Sequence, residues 1–143
     1  MMIAICLVGC SSCWFDLEDL NWNPQGDWDY ELCHDYRIMR INSKTIELCV
    51  KGSISFSPVV DSYVTSFCYN ENFIAVRRLD IGDRKIEEID FEEAEYYLID
   101  AVNGSVFGPF AEEEAFQAVC EQQKAGLLGE WIDTYPAPEG ARF

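Results

Sequence analysis

Asn103-Gly104 lies between two runs rich in β-branched and aromatic residues, and no stretch of the chain constrains folding more. Both residues tolerate the positive φ of a type I′ turn, whose twist matches that of paired strands. Tyr96 to Val102 and Ser105 to Phe110 are therefore predicted as the arms of a β-hairpin. Gly108-Pro109 should end the second arm, because Pro109 brings no N–H to a ladder. A helix is predicted directly afterwards, over Glu112 to Ala125. Glu112, Glu113 and Glu114 complement the positive end of its dipole, and Lys124 the negative end. Phe116, Val119, Cys120 and Leu127 make its apolar stripe, and Gly126 is placed to stop it.

The preceding chain repeats the hairpin theme. Trp28 to Cys33, Tyr36 to Ile41 and Thr45 to Val50 read as strands, with tight corners at His34-Asp35 and Asn42-Ser43-Lys44. In the third, Ile46, Leu48 and Val50 alternate with Glu47 and Cys49, the period of a strand with one buried face. Lys51 to Asp61 reads as a Gly/Ser/Pro loop, and Ser62 to Tyr69 with Phe73 to Arg78 as a further hairpin. Leu79 to Glu95 carries eight acids, while Ile81, Ile86, Ile89 and Phe91 should drape it over the domain. Seven short strands and one late helix predict a mainly β (β-rich α+β) domain, a single antiparallel β-meander with a C-terminal helix. The division expected is 1–9 signal peptide, 10–26 tether, 27–135 β domain with helix 112–125, and 136–143 tail.

Composition narrows the partners. The chain has 143 residues, enough for one core, and 49% hydrophobic residues, too many for a disordered chain. Its formal net charge of −16 repels phosphate backbones, so no nucleic-acid partner is expected. The same charge repels anionic lipid surfaces, so membrane attachment needs another device. Leu7-Val8-Gly9-Cys10 supplies one, since an apolar run, a small residue, a cysteine and the polar Ser11-Ser12 coincide as in a lipobox. The expected lipidation site is Cys10, and the expected location is the cell envelope, or the cytoplasm if Cys10 is not processed. No Lys or Arg precedes the apolar run, a departure from the usual signal pattern. Of seven cysteines, cleavage removes Cys6 and lipidation occupies Cys10. Cys13, Cys33, Cys49, Cys68 and Cys120 remain, and are read mostly as free, buried thiols.

The order of lipobox, short β-meander, Asn-Gly hairpin, Gly-Pro-Phe and acidic helix start resembles a family of small bacterial lipoproteins of unknown function. The resemblance covers most of the chain after Cys10 and implies an envelope location and a β-rich fold. Members often have Ser or Thr where Ala111 stands, so the helix cap is missing here. The resemblance carries over no catalytic residue.

Several groups of residues have spacings that invite chemistry. His34 is the only histidine and adjoins Cys33, but neighbours on a strand face opposite ways. Cys49 or Cys68 would have to reach it across a sheet, and a turn residue is the plainer reading. Cys10-x-x-Cys13 has the spacing of half a zinc site, which acylation of Cys10 would consume. Asn21 to Leu32 follows the register of a calcium loop, with Gly26 at its sixth place, yet Leu32 stands where a bidentate Glu is required. No catalytic residue, metal or cofactor is therefore assigned. The leading reading is a non-catalytic, lipid-anchored envelope protein whose acidic β domain meets a protein partner. An inhibitor or immunity protein against a basic toxin or nuclease is the alternative. A small enzyme with a cryptic site is the third reading, and depends on His34 meeting a thiol.

Overall fold

A computed structural model of the chain describes residues 27–82, 84–88 and 90–143. The lipobox, Cys13 and the 10–26 segment lie outside the described residues. Nine strands among those described form two antiparallel sheets, with one α-helix on the far face of the second. The first sheet is a meander of β1 (Trp28–Glu31), β2 (Tyr36–Asn42), β3 (Thr45–Lys51) and β4 (Phe56–Val60), in that order. The second runs β8 (Ser105–Phe110), β7 (Glu95–Asp100), β6 (Phe73–Arg78), β5 (Val64–Tyr69) and β9 (Ile132–Asp133). The expected mainly β fold with a C-terminal helix is thus the observed one, divided into two layers.

Alternation puts Trp28, Tyr36, Ile38, Ile46, Leu48 and Val60 of the first sheet against Val64, Phe67, Ile74, Val76 and Ile99 of the second. The opposite face of the second sheet holds Cys68, Ala75 and Leu98, and α1 (Glu113–Gln122) covers part of it with Phe116. Tyr96 stacks on Phe116, their ring centroids 5.2 Å apart, and Trp131 meets both rings. The centre of the second sheet is therefore buried on both faces, at Cys68, Ala75 and Leu98 on one and at Phe67, Ile74, Val76 and Ile99 on the other. This is why Phe67-Cys68 of β5 and Ile74-Ala75-Val76 of β6 are apolar at consecutive positions.

The chain departs from the sequence expectations at identifiable places. Phe56 to Val60 is a strand, where a loop was predicted from Ser57 and Pro58. Proline is tolerated there because β4 is an edge strand and pairs only with β3. The two-residue β9, to which no predicted strand corresponds, pairs with β5 through Ser66–Asp133 and Phe67–Ile132. The Asn103-Gly104 turn is not type I′, since of the two only Gly104 has positive φ (80°). Asp100 pairs with Ser105, and its carboxylate accepts from the backbone N–H groups of Val102 and Asn103. A four-residue loop results, and the β7 arm stops two residues early. A tight turn with two positive-φ residues does occur, at His34 (51°) and Asp35 (67°) between β1 and β2.

The helix begins at Glu113, one residue later than predicted, so that Glu112 and not Ala111 is its N-cap, and the Glu112 side chain makes no cap hydrogen bond. It ends earlier than predicted. Lys124 takes the left-handed conformation (φ 56°) and Ala125 N–H donates back to the Cys120 carbonyl, closing a Schellman-type end whose left-handed residue stands two positions before the anticipated Gly126 stop. Leu127, predicted on the apolar stripe, is 93% exposed, and Leu128 packs against the helix-side core instead. Asn70 holds the loop after the helix, its amide donating to the carbonyls of Ala125 (2.6 Å) and Leu127 (3.2 Å). Beyond β9, residues 136–143 return to the first sheet, where Asp29 and Arg142 exchange backbone hydrogen bonds of 2.9 and 2.8 Å. No helix among the described residues is long and apolar enough to cross a membrane.

Candidate functional site

The residues singled out for catalysis from the sequence are not brought together. His34 is exposed at the tip of the β1–β2 hairpin, its Nε2 3.4 Å from Asn72 Oδ1. Cys33 turns the other way and packs against the inter-sheet core. Burial is the first cause of the upward pKa shift at all four described thiols, and carries Cys49 to about 11 and Cys68 to about 12. Each is a neutral thiol near pH 7, and thus a poor nucleophile or metal ligand. Cys33, Cys49, Cys68 and Cys120 form no disulfide. Asp27 and Asp29, the acids of the calcium-like register, are engaged by arginines: Asp27 by Arg40 at 4.0 Å, and Asp29 by Arg37 at 3.2 Å and Arg142 at 2.9 Å. Among the described residues no three His, Cys, Asp or Glu side chains converge on a metal-sized site. Cys10 lies outside them.

A different set of residues does converge. Ser66 on β5 stands directly opposite Arg77 on β6 and Asp133 on β9. Residues opposed in this way share a face, so Arg77, Ser66 and Asp133 form one row across three strands. The row continues through Tyr96 on β7 to Phe110 on β8. Helix α1 packs chiefly on β7 and β8, and the Arg77–Ser66–Asp133 half of the face lines a depression of about 320 Å³. Tyr63, Thr65, Thr134 and Tyr135 complete its lining.

Local structure fixes each member of this cleft. A bulge between Val64 and Ser66 re-aims β5, turning Ser66 toward the helix side while Val64 and Phe67 stay in the inter-sheet core. Arg77 Nε donates to Ser66 Oγ at 2.6 Å, and the guanidinium carbon sits 4.3 Å from the Trp131 ring centre. A hydrogen bond on one edge and an aromatic face beneath leave the guanidinium little rotational freedom. Thr134 is buried, and its hydroxyl donates to the Val64 carbonyl at 2.8 Å, tying the strand that carries Asp133 to the bulge. Burial raises the pKa of Tyr63, partly offset by the Arg40 charge, so its phenol stays protonated in the cleft wall.

Charge pairing sets Arg77 apart. Arg37, Arg40, Arg78, Arg84 and Arg142 each have a carboxylate partner. Arg77 has none among the described residues, in a chain with 26 acids. Sequence reasoning passed over it because its partners stand at positions 66 and 131–135, with no fixed spacing to find. One signal was present. In Ile74-Ala75-Val76-Arg77 the arginine shares a face with Ala75, the helix-side face, where an uncompensated charge is costly.

Fold and cleft together define a two-sheet β domain with a flanking helix and a single ordered cation in a polar recess. Residues 33–125 match the family model described as a protein of unknown function (DUF3997), and the chain belongs to that family. The matched span includes Ser66 and Arg77 and ends before Trp131 and Asp133. No curated protein and no solved structure matches the chain.

Proposed function

We propose that this is a non-catalytic bacterial envelope protein, held to the membrane by lipid on Cys10, whose acidic β domain binds a protein partner. The Leu7-Val8-Gly9-Cys10 tetrad followed by Ser11-Ser12 carries the anchoring half of this reading. A diacylated cysteine would supply an attachment that a net charge of −16 cannot. The binding half draws support from the neutral described thiols and the solvent-facing His34, which leave recognition as the chemistry best served by the surface. Labelled palmitate should enter the full-length protein in bacterial cells and be lost in Cys10→Ala, which should also leave the membrane fraction. A Cys10→Ala protein that fractionates as wild type would remove the anchor.

A second reading, an inhibitor or immunity protein against a basic toxin or nuclease, is favoured by one surface. Glu113, Glu114 and Glu121 line the exposed side of α1 with Gln117 and Ala118, and none has an ion-pair partner among the described residues. A basic partner would associate there quickly at low salt and more slowly as salt screens the field. Pull-down at low ionic strength that recovers no basic protein would reject it.

A further inference from the structure

We propose that the cleft around Arg77 binds a carboxylate, presented either by a small organic acid or by the C-terminus of a peptide. A fixed arginine in a strongly acidic protein should collect a carboxylate from its own chain, as the other five do. The fold withholds one here. Trp131 covers one face of the guanidinium and Ser66 takes the Nε proton, so the terminal N–H groups remain as a planar, two-pronged donor facing the recess. Because Ser66 Oγ accepts from Arg77, its own proton is available as a further donor.

Asp133 stands on the far side of Ser66, about 10 Å from Arg77 between Cα atoms at the usual strand spacing. It makes no ion pair with Arg77, yet it lines the same recess and so penalises a second negative charge there. Together with the net charge of −16, this favours a monoanionic carboxylate over a dianionic phosphate. The recess of about 320 Å³ lies at the small end of ligand sites and admits a small acid or one terminal residue of a peptide.

This site deepens the binding reading without using the anchor, so palmitate labelling and ligand titration can fail separately. The experiment is an NMR titration of the full-length protein, following the indole N–H of Trp131, assigned with Trp131→Phe. Acetate, an acetylated Gly-Gly-Ala peptide with a free C-terminus, the same peptide as its amide, and inorganic phosphate serve as probes. Saturable shifts are expected with acetate, the free-acid peptide or both, and at least tenfold weaker response to the amide and to phosphate. A stronger response to the peptide than to acetate assigns the carboxylate to a chain terminus; equal responses assign it to a free acid. Arg77→Lys, which keeps the charge and loses the fork, should weaken binding about tenfold. If that variant unfolds, Asp133→Asn at the exposed edge decides, because it should tighten carboxylate binding several-fold. No saturable shift with either carboxylate, equal binding of acid and amide, preference for phosphate, or an Asp133→Asn protein that binds no tighter would each overturn the proposal.

Discussion

The two sheets are built alike, from antiparallel hairpins taken in chain order, yet they occupy different environments. In the first, the buried residues face inward apart from Cys49, which is buried on the outer face opposite Arg37. On its outer face Asp29 and Glu31 each pair with both Arg37 and Arg142, at 2.9 to 3.9 Å, and Arg37 also lies over Phe56 at 4.8 Å. Such exposed pairs add at most about 1 kcal/mol each. In the second sheet the outer face is also a core, closed by Phe116, Ala125 and Trp131. A polar side chain on the first sheet's outer face is therefore routine. On the second sheet's outer face it must be satisfied or used, and Arg77 with Ser66 is the case that stands out.

Matched truncations test the contrast most strongly. Leu98 is fully buried between the second sheet and α1, whereas Met39 is half-buried on the outer face of the first sheet. Leu98→Ala should cost about 2–5 kcal/mol, and Met39→Ala under about 1.5 kcal/mol, because only the former leaves a closed cavity. Urea unfolding of both full-length variants gives the comparison. Equal losses would mean that the helix side is not a second core.

The β7–β8 hairpin offers the next largest effect, with two glycines under different constraints. At Gly108 (φ 126°) a Cβ would stand 2.7 Å from the Tyr96 carbonyl oxygen, so Gly108→Ala must both strain its backbone and displace a neighbouring strand. About 3 kcal/mol is expected, the sum of strain and local overpacking. At Gly104 (φ 80°) a side chain meets open space, so Gly104→Val should lose only the strain, about 1–3 kcal/mol. Thermal melts in which Gly104→Val suffers more would show that the loop, and not the strand contact, fixes this hairpin.

Alkaline pH separates the sheets in another way. Burial raises the Cys68 thiol to about 12 and the Cys49 thiol to about 11, from an ordinary value of 9.0. An unfolded chain releases these protons near pH 9 while the folded chain keeps them, so the unfolded state binds fewer protons in that window. Stability then falls as pH rises. The contribution is fully present below pH 9 and is lost up to about 11 for Cys49 and about 12 for Cys68. Cys68→Ala should flatten the alkaline melting profile over the wider interval, and Cys49→Ala over the narrower. A profile that neither variant changes would mean that both thiols are accessible to water.

How far the sequence reveals this molecule follows from what each signal encodes. Alternation in Thr45 to Val50 marks a strand, and β3 is that strand, with Ile46 and Leu48 buried as expected; Cys49, expected on the wet face, is buried as well. The consecutive apolar residues Phe67-Cys68 of β5 and Ile74-Ala75-Val76 of β6 disclose strands but not the second layer, because burial on two faces erases the alternation. Asn103-Gly104 locates a reversal correctly but not its type, since the Asp100 carboxylate caps the loop from three residues earlier. Pro58 conceals β4 because edge position is a property of the sheet and not of the residue. The cleft is the least legible part. Ser66, Arg77, Trp131 and Asp133 meet only through strand register and a bulge, and neither leaves a spacing in the chain.

The smallest effect compares the end of α1 on the second sheet with the acidic crossover that precedes β7. Lys124 holds φ 56°, where a side chain is disfavoured, and it closes the Schellman-type end through which Ala125 enters the helix-side core. Glycine meets that conformation without penalty, so Lys124→Gly should raise stability by about 0.5–1 kcal/mol despite deleting a cation near the helix C-terminus. In the crossover, two single-turn 3-10 helices, Ile86–Glu88 and Phe91–Glu93, expose their acids. Asp90 caps the second by accepting from Glu92 N–H at 3.0 Å, and Glu93 meets Arg84 at 3.6 Å on the surface. Glu92→Gln leaves the cap intact and relieves like-charge repulsion, so it should be neutral or slightly stabilising. Glu93→Gln also gives up an exposed pair, which brings its net effect within about 0.5 kcal/mol of zero. Urea midpoints for the three variants, measured side by side, rank them. A glutamine variant that destabilises more than Lys124→Gly stabilises would make the acidic crossover an ordered structural element in its own right, held by its carboxylates and not merely tolerating them.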